Sequence, residues 1–211
     1  MIEIALIALT TFVATIGPFL VPVMFTAITV GMSARERRRL AFKGSAIGAG
    51  ILIFFALAGE FMLDRLGISL AALRVAGGIL LLLIAIELVF AKSSGVASPT
   101  ESEQAEAIEK TDISVFPLAT PLIAGPGAMG AAILLSADAG EVMGWPGRGV
   151  VIAVILGVVF VTYVFLLLAS PVQKIMGITG LQVISRVVGV FLAALAVQFI
   201  FDGLKDSGLL S

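Results

Sequence analysis

The chain has 211 residues, of which 60% are hydrophobic and only 13% are charged, and its mean hydropathy is +1.18. A soluble domain carries about a quarter charged residues, so this composition excludes an ordinary soluble protein and indicates a membrane protein. There is no cysteine or histidine and the net charge is −1, so we expect no disulfide, no metal site, no cofactor and no nucleic-acid partner.

Six apolar segments follow one another along the chain, each long enough to cross a bilayer core about 30 Å thick. Any one of them could instead be a buried helix of a soluble protein, but six of them leave too little polar surface for that. The predicted fold is therefore an all-α membrane protein with six transmembrane helices. The predicted spans are residues 4–30, 44–63, 70–91, 113–137, 150–169 and 179–202.

Gly-Pro steps interrupt the first and the fourth span. Proline removes an intrahelical hydrogen bond, and in lipid the freed backbone groups need protein or a wet cavity around them. Paired breaks in two halves are typical of a transporter's substrate site, and helix N-termini after the breaks would present N–H groups to a carboxylate. The alternative is that both are packed kinks. The predicted substrate-binding residues, at and beside the breaks, are Thr15, Gly17, Pro18, Thr120, Gly125, Pro126 and Gly127.

Charge in the connecting segments predicts the orientation. Eight lysines and arginines lie in the first, third and fifth connections, against three on the opposite side, which places both termini outside. The polar segment 92–112 is predicted to be a flexible cytoplasmic linker between two three-helix repeats, residues 1–91 and 113–211. Because three is odd, the repeats must have inverted topology. Each closes with a span that carries Arg-x-x-Gly after a Gly-Ile turn, at Gly67-Ile68 and at Gly177-Ile178.

Charges inside the spans form a second set of candidates. A charge at the centre of a bilayer is unfavourable by about 2.5–3.5 kcal/mol on the insertion scale, so it needs a partner or a function. Similar depth along neighbouring spans predicts the pairs Glu60–Arg74 and Glu87–Arg186, one near each face of the membrane. These would be structural ion pairs, or a gate that opens and closes. Glu87 could instead take up a proton, or the charged side chains could simply snorkel toward the membrane surface.

The sequence FPLATPLIAGPGA at residues 116–128 resembles the hallmark stretch of the MarC family of integral membrane proteins. Residues 67–81 and 177–203 are similar to that family too, so the resemblance covers nearly the whole chain. These proteins were once tied to multiple antibiotic resistance and are also called the neutral amino acid transporter family. The resemblance implies six spans and a small exporter of glycine, alanine and similar amino acids, with protons as a candidate coupling ion.

We therefore expect a multi-pass protein of the cell inner (plasma) membrane that transports or exports small neutral amino acids bound near the midplane. The alternatives are a structural or regulatory membrane protein that transports nothing, and a small channel. An enzyme is not expected, because the sequence offers no histidine, cysteine or facing carboxylate pair for catalysis. The expected partners are the lipid bilayer, a small-molecule substrate and, for a homo-oligomer, further copies of the chain.

Overall fold

The computed structural model of the protein describes residues 1–19, 21–29, 32–90 and 113–208. The predicted linker, residues 92–112, lies outside the described residues, as do the predicted ends of the first and third spans. Within these ranges every regular element is a helix. In chain order the helices are α1 Ile2–Ile16, α2 Val21–Ile28, α3 Ala34–Leu66, α4 Leu70–Phe90, α5 Ser114–Ile123, α6 Pro126–Met143, α7 Trp145–Leu167 and α8 Ala169–Asp206.

The first predicted break lies between α1 and α2. Gly17 ends α1 in a left-handed conformation with φ of 64°, and its N–H donates to the carbonyl of Val13. Glycine adopts this conformation without the steric strain that a Cβ would add. The sequence predicts Pro18 in the first turn of the next helix. That helix begins only at Val21, three residues later. A half-helix thus follows the first break, as predicted, but Pro18 itself lies in the turn before it.

The second break lies between α5 and α6, which are bent by 57° at the junction. The backbone of α5 is irregular, with extended conformations at Phe116 and Thr120 and cis peptide bonds before Pro117 and Pro121. α6 then begins at Pro126, which occupies the first turn, where a missing N–H disrupts no helical bond. Here the helix begins where the sequence predicts.

Glycines set the closest approaches between helices. α3 packs against α5, and a Cβ on Gly48 would lie 2.6 Å from Cγ2 of Ile123. α4 packs antiparallel against α8, where a Cβ on Gly78 would lie 2.7 Å from the carbonyl oxygen of Ala196. Small residues at such places let helices meet backbone to backbone, which is a common way for helices to associate in lipid.

Burial follows the pattern of a bundle in lipid. Phe12, Phe25 and Ile155 are at most 1% exposed inside the bundle, whereas Phe160 and Phe191 are each 64% exposed on its outer surface. Large apolar side chains on the outside are expected where the surrounding medium is hydrocarbon rather than water.

In the described ranges, α3, α4 and α7 are each long and apolar enough to cross a membrane, and the bent pair α5–α6 would make a fourth span. The prediction of an all-helical membrane protein is confirmed at this level, and the count of six spans stays a prediction. The predicted turn at Gly177-Ile178 is wrong, because the backbone there is helical and lies within α8. Its counterpart at Gly67-Ile68 does end a helix, with φ of 69° at Gly67.

Candidate functional site

The second break places irregular backbone in the interior of the bundle. Ala119, Ile123 and Ala124, which frame the bend, are each 0% exposed. The N–H of Ala124 donates to the carbonyl of Ala119 at 2.8 Å, so part of the freed hydrogen-bonding capacity is used within the loop. α6 begins at this bend, where Gly127 and Ala128 of its first turn are buried and Pro126 is exposed.

The end of α1 and the start of α6 come together. A Cβ on Gly127, in the first turn of α6, would lie 3.9 Å from Cγ2 of Thr15 in the last turn of α1. It would also lie 2.6 Å from Cδ1 of Ile84 in α4, so the Ile84 side chain covers Gly127 in this conformation. The structure thus brings together one predicted residue from each break, with an aliphatic side chain over them.

The other predicted substrate-binding residues do not all gather at this junction. The Thr15 hydroxyl donates to the carbonyl of Thr11 at 2.8 Å, and the Thr120 hydroxyl lies 3.4 Å from the carbonyl of Val115. Pro18 is buried, whereas Pro126 is exposed. A Cβ on Gly125 would lie 2.8 Å from the carbonyl of Pro121. Gly127 is the member of the set that lies beside Thr15, at the junction of the two breaks.

Arg74 forms ion pairs with carboxylates on two neighbouring helices. Its guanidinium donates to the carboxylate of Asp138 in α6 and to that of Asp206 in α8. The Arg74 side chain is 19% exposed, which limits competition by water. Arg74 therefore connects α4 to α6 and to α8. We call the end of the bundle that carries these residues the Arg74 end.

A second arginine, Arg148, forms an ion pair between two other helices at the Arg74 end of the bundle. Nη2 of Arg148 in α7 donates to Oε2 of Glu60 in α3 at 2.5 Å. A Cβ on Gly140 would lie 2.5 Å from Nε of Arg148, so the guanidinium crosses over the last turn of α6 on its way to Glu60. The predicted pair Glu60–Arg74 is therefore wrong, because each residue has a different partner. Depth alone suggested that pair, and depth does not show which way a side chain points around its helix.

The predicted pair Glu87–Arg186 stays a prediction. Glu87 is 7% exposed on α4, whereas Arg186 is exposed on α8. α8 does lie against this part of α4, since a Cβ on Gly189 would lie 2.9 Å from Cβ of Leu88. The two helices are therefore neighbours, as the predicted pair requires.

A cavity of about 230 Å³ opens beside Arg74. It lies among α4, α6 and α8, and its lining combines two cations, three carboxylates and two apolar side chains: Arg74, Lys205, Asp138, Asp202, Asp206, Leu134 and Phe199. Sequence reasoning missed the acidic residues and Lys205 as site residues, although Asp138 closely follows the apolar run of residues 131–135, a signal that could have marked it. Within the described residues, no group of histidine, cysteine, aspartate and glutamate side chains is arranged to hold a metal ion.

Comparison with known proteins agrees with this architecture. Residues 2–207 match the description "MarC family integral membrane protein". A UPF0056 membrane protein of Methanocaldococcus jannaschii is 35% identical over 202 residues, covering 96% of each chain. The UPF0056 membrane protein YvbG of Bacillus subtilis is 39% identical over 185 residues, covering 86% of this chain and 85% of YvbG.

A more distant relative carries the family's own name. The UPF0056 inner membrane protein MarC of Citrobacter koseri is 26% identical over 196 residues, covering 90% of this chain and 89% of that protein. No solved structure matches the chain. The resemblance seen at residues 116–128 is confirmed by a match that extends over nearly the whole sequence. This chain belongs to the MarC family of integral membrane proteins.

Proposed function

We propose that this protein is a transporter that moves small neutral amino acids, or similar small zwitterions, across the inner (plasma) membrane. The observation that carries the proposal is the bent pair α5–α6, whose irregular backbone includes the fully buried residues Ala119, Ile123 and Ala124. Non-helical backbone at membrane depth survives only where protein or a wet cavity covers it, and in transporters such breaks mark the substrate site. The proposal includes no catalytic step and no cofactor.

The proposed architecture is a six-span inverted repeat, with residues 1–91 and 113–211 as the two halves and 92–112 as the linker. The antiparallel packing of α4 on α8 supports it, because these helices close the two halves and share the Arg-x-x-Gly motif. An axis in the membrane plane relates such halves, so equivalent helices run in opposite directions and pack antiparallel where they lie at that axis.

The proposed orientation places both termini outside. A reporter enzyme fused after Ser211 should then be active only on the outer side of the membrane, and one inserted in the segment 98–109 only in the cytoplasm. The opposite result would remove the topological basis of the inverted repeat.

The proposed substrate site is the junction of Thr15 and Gly127. Helix N-termini carry free N–H groups and a partial positive charge, so the start of α6 suits a substrate carboxylate. Ile84 covers this place in the present conformation, and its flexible side chain must move before a ligand can enter. A substrate would therefore bind as part of a conformational change rather than to a pocket already open.

Uptake of labelled glycine and alanine into proteoliposomes tests the proposal, with two alanine variants of α6 as a matched pair. A Cβ added at Gly127 would occupy the junction beside Ile84, whereas a Cβ at Gly130 would meet nothing within 4 Å. We expect Gly127→Ala to lower uptake severalfold and Gly130→Ala to leave it unchanged. Amino acid amides, which lack the carboxylate, should compete poorly.

Failure of the wild type to take up any labelled amino acid would contradict the substrate class. Equal uptake by both variants would move the site away from the junction. Ion conductance without saturable uptake would instead favour a small channel.

A further inference from the structure

Two charges in the cavity at the Arg74 end have no ion-pair partner among the described residues. Asp202 and Lys205 lie one turn apart on α8, and both line the cavity. The carboxylate of Asp202 accepts a hydrogen bond from Nε2 of Gln198 at 2.8 Å, which is a neutral donor. Arg74, by contrast, is engaged with Asp138 and Asp206. The cavity thus presents one anionic and one cationic group that its own ion pairs do not use.

We propose that this cavity is a second ligand site, which binds a small zwitterion at the Arg74 end of the protein. The ligand carboxylate would be held by the ammonium of Lys205, and its ammonium group by the carboxylate of Asp202. Leu134 and Phe199 supply the apolar part of the lining, where a short aliphatic side chain can lie. The biological role of this cavity rests on the proposed transport function. The cavity would be an entry site for the same class of substrate, apart from the site at the helix breaks.

The charges of the lining favour a ligand of both signs. Three carboxylates repel a simple anion, although Lys205 would attract one. A simple cation would suit Asp202 but would leave the ammonium of Lys205 facing it. A zwitterion satisfies both groups at once, and charge-assisted hydrogen bonds of this kind are roughly twice as strong as neutral ones. Specificity would therefore come from the paired charges rather than from the shape of the cavity.

Thermal unfolding of the detergent-purified protein with three probes tests this assignment. Alanine is the zwitterion, alaninamide lacks the anionic group, and propionate lacks the cationic group. A ligand that binds the folded state raises the unfolding temperature according to its concentration and affinity. We expect alanine to raise it clearly, with alaninamide and propionate each at least about tenfold weaker, because each loses one charged contact.

Charge-removing variants locate the binding. Asp202→Asn and Lys205→Gln should each weaken alanine binding about tenfold, since each removes one partner of the ligand. Glu141→Gln is the matched control, because Glu141 is an exposed carboxylate near the end of α6 that does not line the cavity. If alanine stabilises all of these variants as well as the wild type, the zwitterion binds elsewhere, which overturns the cavity site but not the transport proposal.

A chemical-protection experiment gives a second measurement that needs no charge change. The chain has no cysteine, so a single Phe199→Cys variant can be labelled at one place with a maleimide. Alanine should slow this labelling and leave labelling of Val142→Cys unchanged, because Val142 is 76% exposed and outside the cavity lining.

Each contrary outcome overturns the site. Equal protection by alaninamide would make it a cation site, and equal protection by propionate an anion site. Unchanged labelling in alanine, together with unchanged unfolding temperature, would show no site at all. Proteoliposome uptake would still decide the transport function separately.

Discussion

Replacing Arg74 with methionine should destabilise the protein because it removes two contacts between helices at once. Methionine keeps most of the aliphatic volume and removes the charge. The side chain of Arg74 is 19% exposed, and those of Asp138 and Asp206 are 38% and 43% exposed. Exposed ion pairs contribute about 0.2–1 kcal/mol, and breaking buried pairs costs about 3–5 kcal/mol. Because both carboxylates are more than a third exposed, each pair should contribute close to the upper limit for exposed pairs, about 1 kcal/mol. Arg74→Met should therefore lower the free energy of unfolding by about 2 kcal/mol.

Unfolding by SDS in mixed micelles measures this free energy, and a double-mutant cycle isolates the pair. Arg74→Met combined with Asp138→Asn should be less destabilising than the sum of the single changes, by about 1 kcal/mol. Arg65→Met is the matched control, because Arg65 is exposed near the same end and its guanidinium lies 5.0 Å from the Phe61 ring. It should cost at most about 0.5 kcal/mol. Equal losses for Arg65→Met and Arg74→Met, or additivity in the cycle, would refute the reasoning.

Two further predictions concern glycines. Gly78→Ala should lower the unfolding temperature, because the new Cβ would lie 2.7 Å from the carbonyl oxygen of Ala196 and 2.7 Å from Cγ1 of Ile200. Gly157→Ala should raise the unfolding temperature slightly, because nothing lies within 4 Å of the new Cβ. Alanine also favours a helix over glycine by about 0.5–1 kcal/mol. Thermal unfolding of the two variants in one detergent measures the difference, and equal shifts would contradict the close contact of α4 and α8. Gly17→Ala should destabilise by about 1–2 kcal/mol in SDS titration, because the residue has φ of 64°, and an unchanged value would show that the turn relaxes.

Larger substitutions at the two helix breaks would test the site less cleanly than alanine does. Valine at Gly17 would strain the backbone at a positive φ, and valine at Gly127 would press against Ile84. Lost transport in either variant would therefore mix a packing effect with a blocked site. Alanine at Gly127, compared with alanine at Gly130, separates the two effects better.

Backbone chemistry made part of the fold predictable. The start of α6 at Pro126 follows from the preference of proline for a first helical turn, and the end of α3 before Gly67 follows from the freedom of glycine. α3 begins at Ala34, ten residues before the predicted span, because Ser33 and Glu36 form a capping box that starts the helix in a charged segment. Hydropathy alone detects the apolar part of such a helix and not its polar first turns.

The ion pairs could not be predicted in the same way. Hydropathy places Arg148 in a connecting segment, yet its helix begins at Trp145, so its side chain reaches Glu60. Asp138 lies just beyond the predicted fourth span, and Asp206 just beyond the predicted sixth, so depth within the spans suggests neither as a partner for Arg74. Depth along a helix can be estimated from sequence, but rotation about its axis depends on packing with helices distant in the chain.

Arg74 and Arg148 contact α6 from opposite sides and so stabilise the present arrangement of the helices at the Arg74 end. Arg74 holds Asp138 from the side of α4, and Arg148 crosses Gly140 from the side of α7. At about 1 kcal/mol for each of the three ion pairs of these arginines, with Asp138, Asp206 and Glu60, the contacts together favour the present arrangement of this end by about 150-fold. A ligand that needs this end open would show an apparent affinity weaker than its intrinsic one by that factor. Loosening either arginine would then tighten apparent binding without adding a single contact to the ligand.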